Sequence, residues 1–302
     1  VPNIVERLET RIRRHITEAM PAKPGYLEEQ TLSSLLIDYR AWRGRFVEPR
    51  PRKLHLSPEH KRRPRSKGNV DALTAIESKI VGGEDLNPHL STRTARPVGG
   101  SPTDPLPNRS DRDLLLAAWG VHHLHLSTEP WRNGFNKRTG DVLFVVFRDS
   151  DAYVLGVFKH PQHENWAAEE IFAVMARNWP KAGLVLASEY ATGLSQEYSD
   201  SARLELREAG MNSSLLVDGK VYSPGGIGMT LDGSPLQAVQ ESNALAWELK
   251  RWREDPDRRL SEMEDVPSSA YWLPAISAPV PGFQEYCGFA TGATFRRIGR
   301  LC

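Results

Sequence analysis

The sequence predicts an α+β fold, a small antiparallel or mixed sheet with flanking helices, preceded by a helical, basic N-terminal region. Three observations carry this. Apolar residues recur at helical spacing near the start of the chain. Three apolar segments of strand character follow one another at 121–127, 142–148 and 153–160. Amphipathic helical segments lie before and after them.

Taken in order, residues 3–20 read as an amphipathic helix, with Asn3 as cap and Ile4, Leu8, Ile12 and Ile16 on one face. A second helix fits 27–46, with Leu32, Leu35, Leu36 and Tyr39 at helical spacing. Over 43–68, Pro49, Pro51, Pro58 and Pro64 deny a continuous helix. This stretch reads as an extended, mobile basic arm. A short helix is expected over 69–81, with Leu73, Ile76 and Ile80 as its stripe and Gly82-Gly83 as its stop. Residues 84–110, rich in Pro, Gly, Ser and Thr, read as a long connection wrapped over the surface.

The densest part starts at Asp111. A helix over 111–119 ends at Gly120, and the three strands follow, the second and third joined by a turn over 149–152. A helix over 166–179, a strand over 181–188 and a helix over 200–210 come next. Asp218-Gly219 between apolar runs is a hairpin signal. Ser234-Pro235 opens a helix that runs to about residue 254. The organisation expected is a helical region over 1–100 with the basic arm at 40–67, an α+β catalytic domain over 105–255, and a Pro- and aromatic-rich tail over 256–302 packed on the core.

The chain of 302 residues carries a formal net charge of +1, which gives no overall bias toward a polyanion. The distribution is uneven, because residues 40–67 hold 11 Lys and Arg against 2 acidic residues. Flexible cationic segments bind phosphate backbones through counterion release. Arg43, Arg45, Arg50, Arg52, Lys53, Lys61, Arg62, Arg63, Arg65 and Lys67 are the expected nucleic-acid contacts. Two cysteines, Cys287 and Cys302, make no disulfide framework. With no signal-like leader and no membrane-length apolar run, the expectation is a cytoplasmic protein with no membrane partner.

The most informative stretch is Val121-His122-His123-Leu124-His125-Leu126-Ser127. Strand alternation puts His123, His125 and Ser127 on one face. Imidazole is the side chain naturally poised as acid or base near neutral pH. Arg138 precedes the second strand, and Lys159 and His160 end the third; strand order decides whether His160 meets His125. Such a set fits phosphodiester cleavage without a metal or other cofactor: His123 and His125 move protons, Arg138 and Lys159 stabilise the phosphorane, and His160 substitutes for one of the pair. At the level of this constellation, over about residues 111–180, the chain resembles the barnase-like and RelE-like endoribonucleases, without a complete family motif. The resemblance implies RNA as substrate (DNA as a lesser alternative) and an antitoxin or inhibitor as partner.

Two other readings compete. The histidines could be packing groups of a non-catalytic nucleic-acid-binding or assembly protein. They could also serve a metal-dependent hydrolase, with His160, His163 or Glu164 completing a site. His-Leu-Ser also occurs at 55–57, 89–91 and 125–127; the first two copies read as Pro-rich loops. Trp131, in a polar loop with Arg132 and Asn133, is placed to stack a base. The glycines around 225–228 match neither GxGxxG nor a P-loop.

Overall fold

The computed structural model of the chain describes residues 4–62, 67–99, 111–160, 167–225 and 228–254. Its architecture is α+β. It divides into two units, Ala41–Gln237 and Val1–Arg40 with Ala238–Cys302. The division falls at residues 40 and 237 rather than near 105, because the basic stretch after residue 40 is woven into the sheet. The tail expected over 256–302 lies outside the described residues.

The terminal unit is helical. It contains α1 (Ile4–Ala19), α2 (Tyr26–Glu29), the start of α3 (Leu32–Arg43) and nearly all of α9 (Leu236–Glu254). Ile12, Ile16, Leu35 and Leu36 are buried, as are Leu245, Leu249 and Trp252. The single helix expected over 27–46 is broken. Gln30 takes an extended backbone, and Thr31 Oγ1 accepts the Ser34 N–H at 3.1 Å, so a threonine cap starts α3 afresh. Arg40 pairs with Glu241 at 2.7 Å and Arg253 with Glu9 at 2.8 Å.

The other unit is built on a four-stranded sheet. Its strands are β1 (Lys53–Leu56), β2 (Val121–His125), β5 (Asp141–Phe147) and β6 (Asp151–Lys159), in the spatial order β1-β6-β5-β2. β2, β5 and β6 are antiparallel neighbours, while β1 runs parallel to β6. A short ribbon of β3 (Pro130–Arg132) and β4 (Phe135–Asn136) joins β2 to β5. A second antiparallel sheet holds β7 (Val185–Ala187), β8 (Leu215–Val217) and β9 (Lys220–Pro224). Asp218 and Gly219 both take positive φ between β8 and β9, as the Asp-Gly signal requires.

Both faces of the larger sheet are covered. On one, Val121, Val142, Phe144, Val146 and Leu155 pack with α6 (Leu114–Trp119), α7 (Glu169–Asn178) and the second sheet. On the other, Leu124, Leu143, Val145 and Val154 meet Leu73, Ile76 and Ile80 of α5 (Lys67–Gly82). Sheets covered on both sides read as near-continuous apolar runs, which β5 and β6 do. Asp113 caps α6 and Ser199 caps α8 (Asp200–Glu208), each side chain accepting a backbone N–H.

The mobile arm expected over 40–67 is overturned where it is described. Residues 53–56 form β1, and Pro58–Arg62 form α4. Arg45 is buried and donates to the carbonyls of Arg96 and Asp111. Arg52 is buried and donates to the carbonyls of Glu48, Arg50 and Arg148, with its guanidinium over the Phe147 ring. Arg50 pairs with Glu48 and Asp149, and Arg43 is half-buried. Lys53 and Lys61 are exposed. Arg63, Arg65 and the side chains of Arg62 and Lys67 lie outside what is described. Composition could not separate a solvated cation from one satisfied by backbone carbonyls. The connection after α5 is likewise no surface wrap over 84–99, since Leu86, His89, Leu90 and Val98 are buried.

Candidate active site

Three imidazoles meet at one end of the larger sheet. The His123 and His125 ring centroids are 6.0 Å apart, His123 and His160 are 6.3 Å apart, and His125 and His160 stack at 5.5 Å. With β5 between them, β2 and β6 run in the same direction, so both end at the same edge. Val142 of β5 pairs with His125 on one side and Phe158 on the other.

A bulge decides which residue of β6 joins the cluster. Phe144 pairs with Gly156 but Val145 pairs with Val154, leaving Leu155 as an extra residue. One inserted residue reverses the side-chain phase beyond it. Phe158, and with it His160, therefore faces the side occupied by His123 and His125. Lys159 faces the other side, is 87% exposed and pairs with Asp141 at 2.8 Å. Lys159 is thus not brought to the histidines, contrary to expectation.

His125 is only 1% exposed. Its Nδ1 accepts the Thr139 N–H at 3.3 Å, so the neutral ring carries its proton on Nε2, and that buried atom has no hydrogen-bond partner among the described residues. Burial, and then the neighbouring His123, His160 and Arg138, push its pKa down to about 3. His123 is lowered by burial too, but Asp113 opposes the shift, and Arg138 and Arg93 reinforce it. His122 points to the α5 side, where Nε2 donates to the Gly44 carbonyl at 3.1 Å and the ring meets Phe147 edge-on. Burial takes its pKa to about 4. It is a packing histidine.

Arg138 lies in the loop before β5, with Nη2 3.3 Å from Ser91 Oγ. Ser91 belongs to the turn that also bears Arg93 and His89. His89 is buried, and its Nδ1 donates to the His125 carbonyl at 3.3 Å. The second His-Leu-Ser copy thus lies against the third, and His55 and Leu56 of the first end β1 rather than lying in a loop. Proximity of chance repeats is invisible in a linear reading; the signal was there, but only the fold gives it meaning. Arg93, Thr139 and Asp113 were also missed, since nothing in their spacing marks them.

Among the described residues, no group of three or more His, Cys, Asp or Glu is disposed to hold a metal ion. His163 and Glu164 lie outside those residues. No described helix is long and apolar enough to cross a membrane. Compared with models of known families, with curated proteins and with solved structures, the chain matches none.

Proposed function

We propose that the chain is an endoribonuclease that cleaves RNA by histidine acid–base chemistry without a metal ion. The observation that carries this reading is the convergence of His123, His125 and His160, with ring centroids 5.5 to 6.3 Å apart, under the electrostatic influence of Arg138. Several imidazoles and a guanidinium at one sheet end form a site for a phosphodiester.

Each residue then has a role. His160 removes the proton from a ribose 2′-hydroxyl. O2′ attacks phosphorus, and the bond from phosphorus to O5′ breaks. His123, for which Asp113 partly offsets the burial that lowers its pKa, delivers a proton to O5′. The products are a 2′,3′-cyclic phosphate and a 5′-hydroxyl. His125, in the tautomer that Thr139 fixes, donates its buried Nε2–H to a non-bridging oxygen. This differs from the acid–base role expected for it, because the lone pair of its Nδ1 is already engaged. Arg138 stabilises the phosphorane.

The test is incubation of labelled RNA with the purified chain, with and without EDTA. EDTA-resistant cleavage leaving cyclic phosphate ends, and lost in His123→Ala and His160→Ala, supports the reading. EDTA-sensitive cleavage points instead to a metal-dependent hydrolase. Salt-sensitive binding with no cleavage of any RNA leaves a non-catalytic nucleic-acid-binding protein.

A further inference from the structure

The β3–β4 ribbon has no part in the chemistry above. Asn133 and Gly134 join its strands with φ of 52° and 79°, the pair of positive φ values that a tight two-residue hairpin turn needs. The ribbon is rooted in the sheet unit. Phe135 is buried in the α5-side core, Asn136 Nδ2 donates to the Ser127 carbonyl at 2.8 Å, and Lys137 pairs with Glu129. Pro130, Trp131 and Arg132 are nevertheless all exposed. Trp131 keeps 46% of its surface in water, and the Arg132 guanidinium sits 4.0 Å from its ring centroid. An indole held in solvent on an anchored ribbon, with a cation stacked on it, presents a flat π-surface beside a positive charge.

That pairing matches a nucleobase and its phosphate. Bases stack on aromatic side chains regardless of sequence, and arginine adds a charge contribution. Trp131 follows His125 by six residues, a reach of at most about 20 Å along the chain. The ribbon and the histidine cluster are further tied through His89, which contacts both Asn136 and the His125 carbonyl.

We propose that Trp131 and Arg132 form a stacking platform for a base of single-stranded RNA whose phosphate lies at the histidine cluster. A base within a duplex is already stacked on both neighbours and offers no free face, so single-stranded RNA is the substrate class. This rests on the reading of the cluster as an RNA-cleaving site.

Binding of a fluorescein-labelled 2′-O-methyl oligoribonucleotide to the full chain tests it, because that probe lacks the hydroxyl needed for cleavage. The single strand binds more tightly than the annealed duplex. Trp131→Ala weakens single-strand binding by about 5- to 100-fold, and Trp131→Phe retains most of it. Neither change affects duplex binding or the melting temperature. Wild-type affinity in Trp131→Ala, or equal losses for single strand and duplex, overturns the proposal. RNA cleavage with no effect of Trp131→Ala on binding removes the platform alone. Trp131-dependent binding without cleavage of any RNA removes the catalytic reading and leaves the platform.

Discussion

The imidazole of His160 lies flat against that of His125, with centroids 5.5 Å apart and planes 11° from parallel, although β5 separates the strands that lead to them. Contact between them requires the strand order and the bulge together. Replacing His160 with Ala removes the proposed base and is expected to lower the RNA cleavage rate by about 10²- to 10⁴-fold. Single-turnover kinetics measure this. A rate within a factor of two of wild type would remove His160 from the mechanism.

Gly156 holds φ +148°, and a Cβ there would come 3.3 Å from the Phe158 ring. Gly156→Ala therefore strains the bulge that aims His160. The expected cost is about 1–3 kcal/mol in urea unfolding, with cleavage reduced even where the variant is fully folded. Unchanged stability would show that the bulge tolerates a side chain.

Stability depends on pH through buried neutral histidines. His125 and His122 have folded pKa values of about 3 and about 4, against an ordinary 6.5. Between these limits the unfolded chain binds protons that the folded chain excludes. Their contribution is therefore fully present above pH 6.5 and declines as pH falls toward 4. The slope is about 1.4 kcal/mol per pH unit for each histidine inside that window. Urea midpoints at pH 7.5, 6 and 5 measure it, and His122→Gln should flatten it. An identical slope in that variant would assign the acid sensitivity elsewhere.

Arg138 and Lys159 should separate cleanly. Arg138→Ala is expected to cost about 10²- to 10³-fold in cleavage. It also removes a positive neighbour that depresses His123 and His125, so the pH–rate profile moves to higher pH. Lys159→Ala leaves cleavage unchanged, since its partner is Asp141 on the opposite face. A comparable loss in both variants would contradict the assigned faces.

Arg45 should behave as a structural residue. Arg45→Ala leaves the Arg96 and Asp111 carbonyls without this donor and is expected to destabilise by about 1–3 kcal/mol. RNA affinity, measured by anisotropy in folded protein, stays at the wild-type value. Weakened affinity at unchanged stability would restore it to a nucleic-acid surface.

Much of the core was legible from periodicity. Leu73, Ile76 and Ile80 line α5, and the observed β2, β5 and β6 fall within a residue or two of the predicted strands. Face alternation placed His123 and His125 together correctly. The bulge was harder to read: Gly156 inside β6 is its only local sign, and its consequence, His160 rather than Lys159 on the histidine side, needs the pairing register. The basic segment misled for a different reason. Prolines deny it a long helix, but they do not prevent a four-residue strand from pairing or buried arginines from finding carbonyls. Asn133-Gly134 was likewise passed over, although it carries the same positive-φ preference as Asp218-Gly219.

The parallel pairing of β1 with β6 joins Lys53 to Asp151, across about a hundred residues of chain. At roughly 5–20 residues per second of synthesis, β1 leaves the ribosome about 5–20 s before its partner exists. For that interval its backbone has no neighbour in the sheet, and the burial of Arg52, which needs the Arg148 carbonyl, cannot be completed. The sheet unit is therefore finished from its late strands backward, and its earliest strand waits longest.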